Sequence, residues 1–162
     1  MENRLSQNTD NIERTIEKYG DMLYRISLIM LKNESDAEDA VQETFIKYLQ
    51  KAPKFEGEEH EKAWLIRVAT NRCRDFLRFR MRHPQVEIES IDKGILECSE
   101  SGILEALMTL PPKYRLVMSL YYVEEFRISD IGKIINRTPS AVKMRLQKGR
   151  KMLEETYRKE YL

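Results

Sequence analysis

Cysteine is almost missing from this chain: Cys73 and Cys98 are the only two in 162 residues. Two thiols so far apart make neither a disulfide scaffold nor, by themselves, a zinc site. Cys73 falls among apolar positions and reads as a buried thiol. Six glycines, five prolines and no sustained strand alternation leave an all-α fold as the expectation. No apolar run approaches the ~20 residues that cross a bilayer, and the polar opening MENRLSQNTD does not read as a signal peptide. A cytoplasmic protein without direct membrane insertion is therefore expected. His60 and His83 are the only histidines, and no phosphate-cradling glycine motif, nucleophile elbow or metal-ligand pair is present. Catalytic residues, metal and cofactor are all expected to be none, so the protein is not read as an enzyme.

Net charge is also small, at +1, which taken alone argues against a nucleic-acid partner. The average conceals segregation. Residues 34–43 hold five acids and no base, whereas residues 67–82 hold six arginines and one aspartate. Residues 87–105 return to six acids against one lysine, and residues 137–159 carry eight bases against two acids. An ordinary solvated helix face accounts for each block singly. Their alternation fits a protein that meets a polyanion at two places and something else between them.

The last quarter carries the strongest pattern. RISDIGKIINRTPSAVKMRLQKGRKML, residues 127–153, holds two short amphipathic helical patterns around a tight polar break. The cationic one comes second, as in a helix-turn-helix that lays its recognition helix in the DNA major groove. Ser129 is expected to cap the first helix. Asn136 suits a left-handed turn, and Thr138 is expected to cap the second helix with Pro139 at its first position. Val142, Leu146 and Leu153 are expected to face back onto Ile131 and Ile135. The start of the last helix, at Ser140 and Ala141, can approach a phosphate with unpaired amides. Lys143, Met144 and Gln147 are placed to reach base edges; Arg145, Lys148 and Lys151 are placed against phosphates, with Arg137 and Thr138 at the entry.

Upstream, helical spacing predicts a long helix over residues 12–31, with Ile16, Tyr19, Leu23, Ile26 and Met30 facing inward. Ser35 opens S-D-A-E, read as a capping box for a second helix to about Gln50. Its exposed side gathers Glu38, Asp39, Gln42 and Glu43, a docking surface for a basic partner or a plain solvated face. PKFEGEEHE, residues 53–61, is read as a loop. A third helix, from about Lys62 to Arg80, aligns Arg67, Asn71, Arg74 and Arg78 at steps of four, three and four. Cations beside Phe55, Gly57 and Trp64 suit single-stranded DNA, where phosphates meet arginine and bare bases need a stacking surface. Trp64, next to Leu65, also reads as a core residue, so the stripe is the better signal. The expected organisation is two small helical domains, residues 1–83 and 103–162, joined by a linker, 84–102, with loose apolar residues Ile88, Ile91 and Ile95. In the second, a short helix near residues 103–109 precedes Pro111-Pro112 and a helix over residues 113–124.

These segments also resemble a known family. DAEDAVQETFIKYL, residues 36–49, resembles the region 2 helix of bacterial sigma-70 family RNA polymerase sigma factors. WLIRVATNRCRDF, residues 64–76, is similar to the promoter-melting helix that follows it, and residues 110–153 are similar to region 4. Regions 2 and 4 in this order, with a short linker and no region 3 or 1.1, resemble the small extracytoplasmic-function group. The resemblance implies that Glu38, Asp39, Gln42 and Glu43 dock on core RNA polymerase. It implies that the 53–61 loop and the Arg67, Asn71, Arg74 face take the unpaired −10 strand, and that residues 129–151 read the −35 duplex. It implies an anti-sigma factor as a further partner beside promoter DNA. Asn136 stands where the family usually has glycine, Met144 where a small polar residue is common, and the loop is more acidic than usual. The alternatives weighed beside this are a helix-turn-helix regulator that never joins polymerase, and a helical protein-interaction module.

Overall fold

The computed structural model describes residues 2–84 and 102–162, and the regular structure in them is helical. Three helices build the first half: α1 (Glu2–Leu31), α2 (Glu34–Lys51) and α3 (Glu58–Arg82). The second half contains α4 (Ile103–Thr109), α5 (Pro112–Met118), a π-helical turn (Ser119–Val123), α6 (Ile128–Ile135) and α7 (Pro139–Tyr161). The expected linker, with Ile88, Ile91 and Ile95, lies outside the described residues.

α1 stops where Lys32 turns left-handed, at φ 55°, with its amide bonded to the Leu28 carbonyl at 2.8 Å. The next residue starts α2: extended Asn33 accepts the Asp36 amide on its side-chain oxygen at 2.8 Å. Asn33 is thus the cap, and Ser35 lies inside the first turn, because the two-residue connection leaves no room for a later start. α2 runs back along α1, and α3 packs on both. Leu23, Ile26, Met30 and Leu31 of α1 meet Ala40 and Phe45 of α2 and Leu65, Ile66, Ala69 and Cys73 of α3 in a buried core. Ile16, expected inside, is 44% exposed. α1 begins ten residues earlier than the periodicity predicted. α3 starts at Glu58 rather than near Lys62, and Glu58, Glu59 and Glu61 in its first turn complement the positive end of the helix dipole.

In the second half Pro112 and Pro139 occupy first-turn positions, where a missing amide hydrogen costs nothing. The helix expected over residues 113–124 changes pitch at Ser119; Glu124 N–H to Ser119 O and Phe126 N–H to Leu120 O close the wider turns. Leu116, Val117, Leu120, Ile131, Ile134, Val142 and Leu146 are buried together. This core is continuous with that of the first half. The join is polar at its edges. Arg115, 4% exposed, donates to the Met108 carbonyl at 3.1 Å and, across the join, to the Met30 carbonyl at 2.7 Å. Arg25 grips Glu124 through two contacts of 3.1 and 3.2 Å, and the Lys62 ammonium lies 4.6 Å from the Phe126 ring centre.

Candidate nucleic-acid interface

α6 and α7 form the two helices expected of the C-terminal unit, and local chemistry explains the turn between them. Asn136 is left-handed (φ 56°, ψ 52°), a conformation its short amide side chain tolerates better than most. Arg137 N–H then bonds the Gly132 carbonyl at 2.9 Å. A Cβ at Gly132 would lie 2.6 Å from the Arg137 carbonyl oxygen, so this close approach requires glycine. Thr138 caps α7 by accepting the Ala141 amide at 3.1 Å. α6 has no side-chain cap, and its flanking residue is Arg127, so Ser129 sits within the first turn.

Burial of Val142 and Leu146 against Ile131 and Ile135 sets the rotation of α7. Lys143, Met144, Gln147, Lys148 and Lys151 are consequently exposed, as is Ser140. Met144, at 70% exposed, presents bare apolar surface in the middle of this cationic edge. The Lys148 ammonium lies 5.7 Å from the Tyr114 ring centre. Arg145 takes a different direction. It is half-buried and, with Arg137 and Asn136, lines a cleft of about 910 Å³ that opens toward α3.

The opposite wall of that cleft is the α3 stripe: Arg67, Asn71, Arg74 and Arg78. Spacing predicted that these four share a side, and they do. Their partners were not legible in the sequence. Arg67 donates to the main-chain carbonyls of Lys133 (2.5 Å) and Ile134 (3.4 Å) at the end of α6. Arg74 is steadied by the Asn71 side-chain oxygen at 2.9 Å, and Arg78 pairs with Asp75 at 3.3 Å. Burial pushes the Arg74 guanidinium below its ordinary pKa, and the nearby charges of Arg145, Arg137 and Arg78 push the same way. With Lys113, the cleft is lined by six cations and no carboxylate.

The loop before α3 holds an aromatic cluster. Phe55 is 5.7 Å from Trp64 edge-on, 6.0 Å from Tyr48 stacked and 5.3 Å from His60 edge-on, between ring centres. His60 Nδ1 accepts the Glu56 amide at 3.2 Å. Trp64 is half-buried and packs against the core, as its reading as a core residue expected. Gly57 is extended (φ 168°), with open space around its α-carbon, and neither observation requires glycine there. On α2, Glu38, Asp39, Gln42 and Glu43 are all exposed. Glu43 is partly engaged, accepting from Arg72 of α3 at 3.1 Å. Among the described residues no cluster of histidine, cysteine or carboxylates is grouped to hold a metal, and no helix is long and apolar enough to cross a membrane.

Two features escaped the sequence reading: the buried Arg115 and the Arg25–Glu124 pair. For Arg115 a signal existed, since an arginine between Tyr114 and Leu116 interrupts an apolar stripe. For Arg25 and Glu124 none did, because they are 99 residues apart.

Residues 15–83 match the family model for sigma-70 region 2, and residues 101–153 match that for sigma-70 region 4. The chain is 30% identical to the ECF RNA polymerase sigma factor SigW of Bacillus subtilis, over 88% of this chain and 87% of that protein. It is 29% identical to the B. subtilis RNA polymerase sigma factor SigV over 86% of each. Among solved structures, it superposes on CnrH in complex with the cytosolic domain of CnrY (TM-score 0.74, 22% identity, 96% of this chain and 92% of that one). It also superposes on RpoE in complex with the anti-sigma factor NepR from Bartonella quintana (TM-score 0.73, 23% identity, 93% and 98%). The fold is shared with both. Region 2 and region 4 lie in order on one chain, and the 30% identity to SigW extends over 88% of it: the protein belongs to the extracytoplasmic-function group of the sigma-70 family.

Proposed function

We infer that this protein binds core RNA polymerase and directs promoter-specific initiation from the cytoplasmic side, by recruitment rather than by chemistry. One observation carries the reading. Two cationic surfaces, on α3 and α7, share a chain with a separate exposed acidic face on α2. A regulator acting alone needs the cationic surfaces only; the exposed acidic face supports docking on a basic protein partner.

Glu38, Asp39, Gln42 and Glu43 dock on polymerase. The exposed edge of α7, with Lys143, Met144 and Gln147 at its centre, reads the −35 duplex, while Lys148 and Lys151 hold phosphates. Arg67, Asn71, Arg74 and Arg78, with the Phe55–Trp64 cluster beside them, receive the unpaired −10 strand. Polymerase and duplex contacts offset the few kcal/mol lost on unstacking the flipped base. With a net charge of +1 the free protein binds DNA weakly, and sequence selection emerges in the holoenzyme. An anti-sigma factor is the expected inhibitory partner, consistent with the complexes that RpoE and CnrH form.

The test is transcription in vitro: purified core polymerase, this protein and a pool of promoter fragments, with the transcripts sequenced. Transcripts sharing a −35 and a −10 pattern are expected. DNA binding without any protein-dependent initiation would sink the reading in favour of a polymerase-independent regulator.

A further inference from the structure

Met144 is an apolar side chain set among polar ones. It is 70% exposed, and the residues around it on the helix surface, Ser140, Lys143, Gln147 and Lys148, are exposed and polar. Its direction is fixed. Pro139 opens α7 behind the Thr138 cap, and Val142 and Leu146, both fully buried, hold the rotation of the helix. Met144 therefore stands outward in the second turn of α7, in the N-terminal part from which a recognition helix reaches base edges.

The chemistry of that side chain narrows what it can read. Lys143 and Gln147 carry donors for guanine O6 and N7 or adenine N7, whereas a thioether offers no comparable hydrogen bond. Along the major groove the thymine 5-methyl is the apolar group that a base pair presents. Setting a thioether over any other base edge strips water from a donor or acceptor and returns no hydrogen bond for it. We propose that Met144 packs on the 5-methyl group of one thymine in the −35 duplex and so sets the base at that step. The proposal rests on the assignment of the outer edge of α7 to that duplex. The unbranched, polarizable side chain can adjust its rotamers to the methyl. A protein partner is the poorer fit, because a single apolar side chain ringed by polar groups makes no apolar patch. Selection at this step is two-sided: thymine gains from methyl burial, and every other base loses hydration without compensation.

The experiment uses holoenzyme assembled from the full-length protein and core polymerase, on a promoter recovered by the transcription screen. Each thymine of the −35 element, on either strand, is replaced in turn by deoxyuridine. That change keeps the pairing and every polar group and removes only the methyl. Competition binding is expected to find one thymine whose methyl is worth about fourfold in affinity, the transfer of one such group out of water. Met144→Ala should bind the unmodified promoter more weakly by at least that factor and be indifferent to uracil at that thymine, so the two losses do not add. Met144→Leu, still apolar, should keep the methyl sensitivity. Gln147→Ala should keep it as well while binding more weakly. Both Met144 variants should melt with wild type, since the side chain already lies in water. A methyl sensitivity that survives in Met144→Ala, or an element in which no thymine is sensitive, overturns the proposal and leaves the α7 assignment standing. A screen that yields initiation with no shared −35 pattern overturns the α7 assignment itself, and the proposal with it.

Discussion

The guanidinium of Arg115 lies 2.7 Å from the main-chain oxygen of Met30, 85 residues away, and it ties α5 to the C-terminal end of α1. Its other bond is to the Met108 carbonyl, and its Nε has no partner. Burial, then the nearby Arg80, pushes this guanidinium down to about 10, so a charge is held in an unfavourable place by two carbonyls. Arg80 does the same for the neighbouring Leu31 carbonyl at 2.6 Å, with Asp36 as its counter-ion. Arg115→Ala is expected to destabilise the fold by about 2–3 kcal/mol, since two buried carbonyls lose a charged donor and a void remains. Arg115→Met, which fills much of the volume and removes the desolvated charge, should lose less. Urea unfolding of the two variants beside wild type measures the difference.

Gly132 faces the backbone at Arg137, not a movable side chain. Gly132→Ala therefore strains the turn of the helix-turn-helix, and a loss of about 1–3 kcal/mol is expected. Gly149→Ala provides the contrast: its new Cβ would meet the Met118 side chain at 3.1 Å, which can shift. Thermal melts should separate the two, with Gly132→Ala the lower.

Cys73 is fully buried, and burial pushes its thiol up to about 11. In the unfolded chain it ionises from about 9. Between those values the unfolded state gives up its proton first, so stability present below about pH 9 falls as pH rises toward 11. The full contribution is about 2–3 kcal/mol. Burial raises Tyr19 and Tyr48 as well, with the same sign. Urea midpoints at pH 8, 9, 10 and 11 should decline, and Cys73→Ala should decline less steeply. Iodoacetamide at pH 8 should leave Cys73 unmodified in native protein.

Asp39→Arg is the cleaner of the charge reversals on the acidic face, because Glu43 also pairs with Arg72 and its loss would disturb α3. The variant should keep its melting temperature and its affinity for −35 duplex while losing most of its binding to core polymerase. Sedimentation or pull-down with core polymerase measures this, and an unimpaired variant would remove Asp39 from the docking surface.

Lys143 and Lys151 are both exposed on α7 but are proposed to do different work. Lys143→Ala should cost about 1–3 kcal/mol on the preferred −35 duplex and relax selection at one base step. Lys151→Ala should weaken all duplexes alike and reduce the salt dependence of binding. Holoenzyme binding to matched and mismatched duplexes across a salt series distinguishes a base contact from a phosphate contact.

Much of this protein is written in local pattern. The all-α class, the Asn136 turn, the Thr138 cap and the exposed row from Lys143 to Lys151 follow from helical period and short-range capping chemistry, which act within a few residues. Boundaries fared worse where neighbours compete. Asn33 displaced Ser35 as cap because only two residues separate the end of α1 from the start of α2, and the acidic first turn of α3 drew Glu58–Glu61 out of the expected loop. The sequence by itself determined the central stretch of each helix and that Arg67, Asn71, Arg74 and Arg78 share a side. Only the tertiary structure decided what that side faces. Arg67 meets the carbonyls of residues 133 and 134, Arg115 meets Met30 and Arg25 meets Glu124, because the apolar faces of α1, α3, α5 and α6 bury one another. Hydrophobic docking is non-directional, and no local spacing encodes which distant donor it brings to which acceptor.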